Sequence, residues 1–347
     1  MKVSVVIPTY NRASLVQETI ESVLRQSFRD FEIIVIDDGS TDDTEQGLRR
    51  FSSEIHYVKQ ENRGLNAARN VGIDLAKGEY IAVLDNDDLW RPFKLELEVS
   101  ILDGLPEVGF VFGDFYIMKP DGRNIPNGIH TWFPNPPVWD DIFNFSLDHD
   151  FGEMLGSHHV NGTSVRAFVG DIYGTSLFGP RVLPSASLFR RSKADGWLKF
   201  NEHDSLCGDW EFFALLSRRH GAAFIDMELA FNRSHEDAVR LTRTDPRLQR
   251  AKRLEMTERI WKNDNSFYSE NRTDVDGVMA ELWSELLALN LKAGNLPEAK
   301  NAARELESFD TNLLDGKIAL YKALAHTPGS RYIIPILLSL RKFVYQR

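Results

Sequence analysis

The chain is nearly free of cysteine, and this scarcity excludes two kinds of site. Among its 347 residues only Cys207 carries a thiol, so the chain can form neither an intrachain disulfide nor a cysteine-rich zinc site. The sequence also lacks an apolar run near the roughly 20 residues that a membrane-spanning helix needs, and its first residues are typical of a strand rather than of a signal peptide. Together these absences predict a cytoplasmic protein that is not embedded in a membrane.

Clusters of positive charge are scarce as well. The formal net charge is −10, and no run of lysine or arginine stands out in the first 240 residues, so we do not expect a nucleic-acid partner. An acidic chain that binds an anionic substrate must supply positive charge locally, from a metal ion, a helix N-terminus or single arginines. Because 42% of the residues are hydrophobic and 27% are charged, the composition is that of a globular protein.

Short apolar runs alternate with helical patterns over the first 112 residues. The sequence predicts strands at 3–7, 31–36, 55–58, 80–84 and 108–112, and helices at 12–26, 65–76 and 92–102. Strands that alternate with helices predict an α/β fold with a Rossmann-like, mostly parallel central sheet flanked by helices. Because ligands bind beyond the carboxyl ends of such strands, the polar residues that follow each strand are candidates for a site.

The remainder of the chain follows other patterns. The stretch 115–182 is irregular and rich in aromatic residues, glycine and proline, and long loops of this kind are usually functional. From 246 onward the sequence is mostly helical, so we expect a first domain over 1–245 and a helical C-terminal region over 246–347. The apolar and basic segment 332–345 is either a final helix docked on the protein or a peripheral contact with the inner surface of a membrane.

A group of acids at the end of the fourth predicted strand is the strongest functional signal. Residues 80–88 read YIAVLDNDD, so Asp85, Asp87 and Asp88 follow a buried strand. Buried negative charge is unfavourable without a positive partner, and Asp85 and Asp87 lie on the same side of a short extended segment. Two carboxylates together with phosphate oxygens suit Mg²⁺ or Mn²⁺. The alternative is a solvated acidic turn before the helix predicted at 92–102.

A second polar cluster, Asp37-Asp38-Gly39-Ser40, follows the second predicted strand. A carboxylate at a strand end can accept hydrogen bonds from a nucleotide base or a ribose hydroxyl. Equally, an Asp-Gly pair is typical of an Asx turn in which the glycine adopts a positive φ. Both interpretations stay open on the residue pattern alone.

Four motifs together resemble one enzyme family. They are VSVVIPTYNR at 3–12, FEIIVIDDGS at 31–40, NRGLNAARNVG at 62–72 and GEYIAVLDNDDLW at 78–90. In this order and spacing they resemble the family 2 inverting glycosyltransferases, which have the GT-A fold, and weaker resemblance continues at 184–190, 200–213 and 231–242. The resemblance implies a metal-dependent transfer of a sugar from a nucleotide-diphosphate sugar, most often a UDP-sugar, to a hydroxyl of a glycan or lipid-linked acceptor, as in surface polysaccharide synthesis.

The resemblance also implies roles for residues of the donor site. Asp38 would bind the base, Asp85 would approach the ribose, and Asp87 would bind the Mn²⁺ or Mg²⁺ that bridges the two phosphates. Further nucleotide contacts are implied for Pro8, Thr9, Tyr10, Asn66, Arg69 and Asn86. His235 is implied as another metal ligand, and imidazole suits Mn²⁺; alternatively it is a surface histidine in a charged loop.

On the acceptor side the resemblance implies a catalytic base. The family has a Glu-Asp pair at the start of a late helix, and the aspartate takes the proton of the acceptor hydroxyl. Here the pair reads Gly208-Asp209, so we expect Asp209 to be the base, although the position also suits an ordinary helix N-cap. The stretch 115–182 would be an acceptor-side insertion. Its aromatic residues either stack on sugar rings or form a secondary core: Trp132, Trp139, Phe143 and Phe151.

Two other functions compete with this one. A nucleotidyltransferase would need a glycine-rich phosphate-binding loop after the first strand, and residues 8–12, PTYNR, contain no glycine. A nucleotide-sugar-binding protein without turnover would have no need of Asp87 and Asp209 together. We therefore expect an enzyme.

Overall fold

The computed structural model describes residues 1–132, 139–143, 165–204, 206–234 and 245–309. The chain divides into two compact units, Met1–Ala238 and Val239–Arg347. Three predictions lie outside the described residues and stay predictions: the role of His235, the contacts of Phe151, and the docked or membrane-bound segment 332–345.

The first half of the sheet in unit 1 is parallel, as the sequence predicts. It consists of β1 (Val3–Thr9), β2 (Phe31–Asp37), β3 (Ile55–Lys59) and β4 (Tyr80–Val83), in the order β3-β2-β1-β4. Every residue of β1 is buried. Its sequence is a nearly continuous apolar run, as expected for a strand that helices cover on both faces. Each strand and helix predicted over the first 112 residues is present, with small shifts at the ends.

The second half of the sheet is mixed. Its strands are β5 (Leu89–Trp90), β6 (Val108–Met118), β7 (Asn124–Ile125), β8 (Ala167–Gly170), β9 (Ser187–Arg190) and β10 (Gly221–Arg233). The order continues from β4 as β9-β6-β10-β5, with β7 beside β6 and β8 beside β10. Among the described strands of this half, the β6–β10 pair is parallel and the other pairs are antiparallel. The α/β fold class is confirmed, with antiparallel pairing beyond β4.

The helices of unit 1 cover the sheet and fix its edges. They are α1 (Ala13–Leu24), α2 (Thr44–Leu48), α3 (Leu65–Leu75), α4 (Lys94–Gly104), α5 (Gly128–Trp132), α6 (Trp139–Ile142), α7 (Tyr173–Ser176), α8 (Arg191–Ala194) and α9 (Gly208–Ser217). Helix α3 lies very close to β1 at Gly72. A Cβ added there would come within 2.2 Å of Val6 Cγ1. Only glycine permits this approach, which carries α3 to the carboxyl edge of the sheet.

In its described residues, the stretch predicted to be irregular from 115 contains regular elements. Strand β6 runs on to Met118 because it pairs along most of its length with β10. Trp139 and Phe143 are 7% and 1% exposed, and Trp139 stacks on Phe224 with 4.0 Å between ring centroids. The core interpretation is therefore confirmed for these two residues, and stacking on sugars is wrong for them. Trp132 is 44% exposed.

Unit 2 is helical throughout its described residues, 245–309. It contains α10 (Pro246–Thr257), α11 (Asn265–Glu270), α12 (Arg272–Ala293) and α13 (Leu296–Glu305). Asp245 caps α10 by accepting a hydrogen bond from Arg247 N at 2.9 Å, and Gly294 ends α12 with a φ of +74°. The predicted helical extension is confirmed over this range. None of the helices in the described part of the chain is long and apolar enough to cross a membrane.

Candidate active site

Three polar clusters meet at the carboxyl edge of the parallel half-sheet. Thr9 at the end of β1 lies opposite Asp37 at the end of β2, and Asp38 N donates to Thr9 O at 2.8 Å. Strand β4 pairs with the other side of β1, so the acids that follow β4 reach the same edge. Pro8 and Thr9 are buried, whereas Tyr10 is 46% exposed. The hydroxyl of Thr9 is buried and has no hydrogen-bond partner within the described residues.

The two acids after β2 have different structural roles. Asp37 Oδ1 accepts from Ser40 N at 2.7 Å, and Gly39 has a φ of +83°, so the Asx turn is confirmed. Asp38 is 4% exposed and organises the start of α3: its carboxylate accepts from Arg63 N at 2.9 Å and from Gly64 N at 2.8 Å. Contact between Asp38 and a base stays a prediction.

The acids after β4 form a tightly bonded loop, residues 85–88, which we call the acidic loop. Asp85 N donates to Ser185 Oγ at 3.2 Å, and Ser185 Oγ donates to Asp88 Oδ2 at 2.6 Å. Asp88 is fully buried and also accepts from Asn232 Nδ2 at 3.2 Å and Arg233 N at 3.1 Å. The acidic loop is thus fastened to the segment before β9 and to the end of β10. Asp88 has no solvent contact, whereas Asp85, Asn86 and Asp87 are half-buried, so for these three residues the cation site and the solvated acidic turn both stay predictions.

Negative charge accumulates in the acidic loop. Burial raises the pKa of Asp88 well above its usual range, and the neighbouring carboxylates of Asp87 and Asp85 raise it further. Burial likewise raises the pKa of Asp85; Arg69 opposes this shift, and Asp209 and Asp87 add to it. Each carboxylate in such a group is harder to ionise until a cation offsets the repulsion.

The acidic loop fits a divalent cation that shares its ligands with a substrate. Within the described residues no three His, Cys, Asp or Glu side chains form a group that could hold a metal by themselves. Mg²⁺ is typically bound by one or two carboxylates, and phosphate oxygens and water complete its shell. The half-buried Asp87, with Asp85 beside it, supplies such a partial set. Half-buried Asn86 lies between them.

A buried arginine joins the acidic loop to the predicted base. Arg69 Nη2 donates to Asp85 Oδ1 at 2.8 Å, and Arg69 Nη1 donates to Asp209 Oδ1 at 2.6 Å. The side chain of Arg69 is 1% exposed, whereas that of Asp209 is 41% exposed. Burial acts to lower the pKa of Arg69, but Asp209 and Asp85 outweigh it and raise that pKa above its ordinary value, so this side chain stays charged.

Asp209 stands in the first turn of α9. The N-cap of that helix is Cys207, so the N-cap interpretation of Asp209 is wrong. Asn66, which the sequence places in the nucleotide pocket, is 3% exposed, and its amide donates to the carbonyls of Asn201 at 2.8 Å and Asp204 at 2.9 Å. Its observed contacts are thus with the loop that precedes α9.

Two contacts of this site could not be predicted from the sequence. Ser185 lies in the weakly matching segment 184–190, but nothing in that segment indicates a bond to Asp88 across 97 residues. The bond between Arg69 and Asp209 spans 140 residues. A pattern can place each residue on its own element, whereas the meeting of two distant elements depends on the order of the strands.

Comparisons with known proteins identify the family of this chain. The family model of Glycosyl transferase family 2 matches residues 4–157. The uncharacterized glycosyltransferase RP339 of Rickettsia prowazekii is 31% identical over 252 residues, which are 68% of this chain and 69% of that protein. The UDP-Glc:alpha-D-GlcNAc-diphosphoundecaprenol beta-1,3-glucosyltransferase WfaP of Escherichia coli is 37% identical over 119 residues, 34% of this chain and 47% of WfaP.

Among solved structures, S. aureus TarS 1-349 in complex with UDP superposes with a TM-score of 0.58 at 18% identity, covering 99% of this chain and 92% of that one. At this identity the likeness concerns the fold. The chain spans between 16% and 42% of the length of four other Rickettsia glycosyltransferases that it matches.

Proposed function

This chain belongs to the family 2 glycosyltransferases, and from that premise we propose that it transfers a sugar from a UDP-sugar to a hydroxyl of a glycan or lipid-linked acceptor, with inversion at the anomeric carbon. The observation that carries the proposal is the meeting, at one sheet edge, of the acidic loop and Asp209 through Arg69. One side of such a site can hold a diphosphate, and the other can accept a proton.

The donor side is supported by chemistry and by relatives. The unpartnered hydroxyl of Thr9 and the carboxylate of Asp38 lie at the edge where nucleotides bind in open α/β sheets. TarS is solved with UDP and with UDP-GlcNAc, and the name of WfaP includes UDP-Glc. We therefore assign the nucleotide to Pro8, Thr9, Tyr10, Asp38, Asp85 and Asn86, and the sugar to the space between the acidic loop and Asp209.

Asp87 would hold the divalent cation, Mn²⁺ or Mg²⁺, together with phosphate oxygens, and His235 is proposed as a further ligand. When bound, such a cation neutralises the charge that grows on the leaving diphosphate. The acidic loop has the matching property, because the repulsion among Asp85, Asp87 and Asp88 is relieved by positive charge. Ser185, Asn232 and the main chain of Arg233 keep the loop in place through Asp88.

The acceptor side is assigned to Asp209. A sugar hydroxyl is a weak nucleophile, so a positioned carboxylate must take its proton as the new bond forms. The acceptor oxygen attacks the anomeric carbon on the face opposite the diphosphate; the bond between that carbon and the phosphate oxygen breaks, and the proton moves to Asp209. One displacement through an oxocarbenium-like transition state inverts the configuration. Arg69 holds the carboxylate of Asp209 in place through its hydrogen bond.

The acceptor is proposed as a polyprenyl-diphosphate-linked sugar or a growing glycan. This part is supported by WfaP, whose acceptor is a GlcNAc-diphosphoundecaprenol, and such an acceptor would fit a role in polysaccharide synthesis. The test uses the full chain, Mn²⁺ and UDP-glucose or UDP-GlcNAc, with undecaprenyl-diphosphate-GlcNAc as acceptor, and follows both UDP release and the anomeric configuration of the product.

We expect UDP release that depends on the acceptor and on Mn²⁺, with a product of inverted configuration. A thermal-shift screen with UDP, GDP, CDP and dTDP sugars identifies the donor, because a ligand that binds only the folded state raises its apparent stability. Binding of a donor without release of its nucleotide under any of these conditions would favour a binding protein without turnover.

A further inference from the structure

The base lies on a platform built from one face of α3. Asn66 and Arg69 are three residues apart, so they are neighbours on the helix surface, and both contact α9 or the loop before it. Arg69 Nη1 also donates to Asn66 Oδ1 at 3.3 Å. The guanidinium carbon lies 5.0 Å from the centre of the Phe200 ring, which shields it from water. The two side chains form one connected and buried unit beneath Asp209.

Asn66 fixes the start of α9. Its Nδ2 donates to the carbonyls of Asn201 and Asp204, at 2.8 and 2.9 Å, which lie in the loop that leads into the helix. Asp204 Oδ1 in turn accepts from Cys207 N at 3.1 Å. The position of the first turn, and with it the position of Asp209, therefore depends on the Asn66 amide.

Gly208 makes this contact sterically possible. A Cβ added there would lie 2.2 Å from Asn66 Nδ2 and 3.0 Å from Asn66 Cγ. The Asn66 amide could yield only by giving up its two bonds to the loop carbonyls. The resemblance implies a glutamate at this position, whereas in this chain the Asn66 amide lies where the Cβ of such a side chain would be.

We propose that Arg69 is the residue that positions the catalytic base Asp209, and that Asn66, packed against Gly208, supports the α9 N-terminus. The inference rests on the proposed function. Arg69 is a positioning residue because its side chain is 1% exposed and reaches the reaction through Asp209. Since Arg69 also binds Asp85, one guanidinium sets the distance between the donor side and the base.

Other charges near Asp209 are accounted for by separate partners. On the preceding loop, Glu202 pairs with Arg63 at 3.0 Å and Asp204 accepts main-chain N–H groups. On α9 itself, Glu211 accepts from Asn201 Nδ2 at 3.0 Å. From the acidic loop, Asp85 faces the same guanidinium. Among these described residues, Arg69 is thus the cation that bonds directly to Asp209.

The first test replaces Arg69 by methionine and by lysine, with UDP-GlcNAc or UDP-glucose as donor. We expect Arg69→Met to lower kcat by roughly 10²-fold, the size of effect that misplacement of a catalytic group by about 1 Å can produce, with a smaller change in donor KM. Arg69→Lys should recover part of kcat, because it keeps the charge but loses the fork geometry.

Arg190 provides the matched control. It is another buried arginine, 9% exposed, but its guanidinium donates to main-chain carbonyls such as Val108 O at 2.9 Å. Arg190→Lys should lower thermal stability and leave kcat within a few-fold of the wild type. If Arg69→Met is folded and its kcat and donor KM match those of the wild type, the positioning role is refuted.

A double-mutant cycle separates this inference from the proposed function. If Arg69 acts through Asp209, Arg69→Met should cause no further loss of kcat in the Asp209→Asn background. An equal loss in both backgrounds would overturn the inference. Full activity of Asp209→Asn alone would instead remove the base assignment on which the proposed function depends.

The second test installs the side chain that is usual in the family. Gly208→Glu should lower kcat at least as much as Arg69→Met does, because it displaces Asn66, and Gly208→Ala should cause a smaller loss in the same direction. Gly221→Ala is the control, since the nearest atom to a Cβ there lies 3.7 Å away. Unchanged or increased kcat in a folded Gly208→Glu variant would contradict the proposed support of α9.

Discussion

The two halves of the sheet in unit 1 differ in the sequence separation of their neighbouring strands. In the parallel half, β3-β2-β1-β4, neighbouring strands are close in sequence and are joined by helices that cover the sheet. In the mixed half, β9 lies between β4 and β6 although it follows both by a long stretch of chain. The first half follows from local patterns, whereas the second depends on pairings between distant segments.

The same division runs through the site. The nucleotide residues proposed at the ends of β1, β2 and β4 belong to the parallel half, while Asp209 is delivered by α9, between β9 and β10 in sequence. Ser185 and Arg69 bridge the two halves. Apart from the bridging residues Ser185 and Arg69, we expect changes in the parallel half to act on donor binding, and changes in the mixed half to act on chemistry or on stability.

The largest expected effect is on kcat, and it concerns Asp209, the proposed catalytic base. Asp209→Asn should lower kcat by roughly 10²–10⁴-fold, the usual contribution of a general base. Because the substitution leaves the acidic loop untouched, UDP affinity in the presence of Mn²⁺ should stay within a few-fold of wild type. Loss of UDP binding in this variant would show that the two sides are not separable as we describe.

The next effect concerns the core of the mixed half. Trp139→Ala should destabilise the protein by about 3–5 kcal/mol, because the ring is 7% exposed and packs on Phe224 and Phe143. Trp132→Ala removes the same side chain at 44% exposure and should cost much less, about 1 kcal/mol. Denaturant unfolding measures both. Equal losses would show that exposure does not distinguish these two tryptophans.

A smaller effect is a pH dependence of the unfolding free energy that arises from α4, which packs against the mixed half. Lys94 and Glu98 are fully buried on α4, with Nζ to Oε2 at 2.5 Å. Burial raises the pKa of Glu98 to about 7, against the opposing effect of Lys94. The folded state therefore binds a proton that the unfolded chain releases near pH 4.5, so this contribution is present at low pH and is lost as the pH rises towards 7.

Glu98→Gln removes that titration. The difference in unfolding free energy, wild type minus variant, should fall between pH 4.5 and pH 7 by an amount on the order of 2 kcal/mol. Denaturant titrations at several pH values follow it. A difference that rises with pH would show that Glu98 is not the group that takes up the proton.

The smallest predicted effect tests the fastening of the acidic loop. Ser185→Ala leaves the buried Asp88 without its shortest hydrogen bond and should weaken UDP binding in the presence of Mn²⁺ by about 1 kcal/mol. Ser187→Ala is the control, since Ser187 Oγ is equally buried but donates to Pro184 O. Calorimetric titration compares the two; a weaker affinity in Ser187→Ala than in Ser185→Ala would argue against the fastening role.

The parallel half and the acids that follow its strands could be predicted from the sequence because those features are local. Asp85 and Asp87 could be placed at a strand end from the apolar run before them, and Asp209 could be placed near a helix start. The hydrogen-bond partners of these acids could not be predicted, because Ser185 and Arg69 contact them only in the folded arrangement of β9 and α9. The aromatic residues Trp139 and Phe143 left two alternatives open, since the same composition suits a core or a sugar-binding surface.

The central claim is that the acidic loop holds a cation against the diphosphate of the donor. Isothermal titration of UDP into the wild type and into Asp87→Ala, each with and without Mn²⁺, tests it most directly. We predict that Mn²⁺ strengthens UDP binding in the wild type and has no effect on it in Asp87→Ala. Equal, Mn²⁺-enhanced affinity in both proteins would contradict the account.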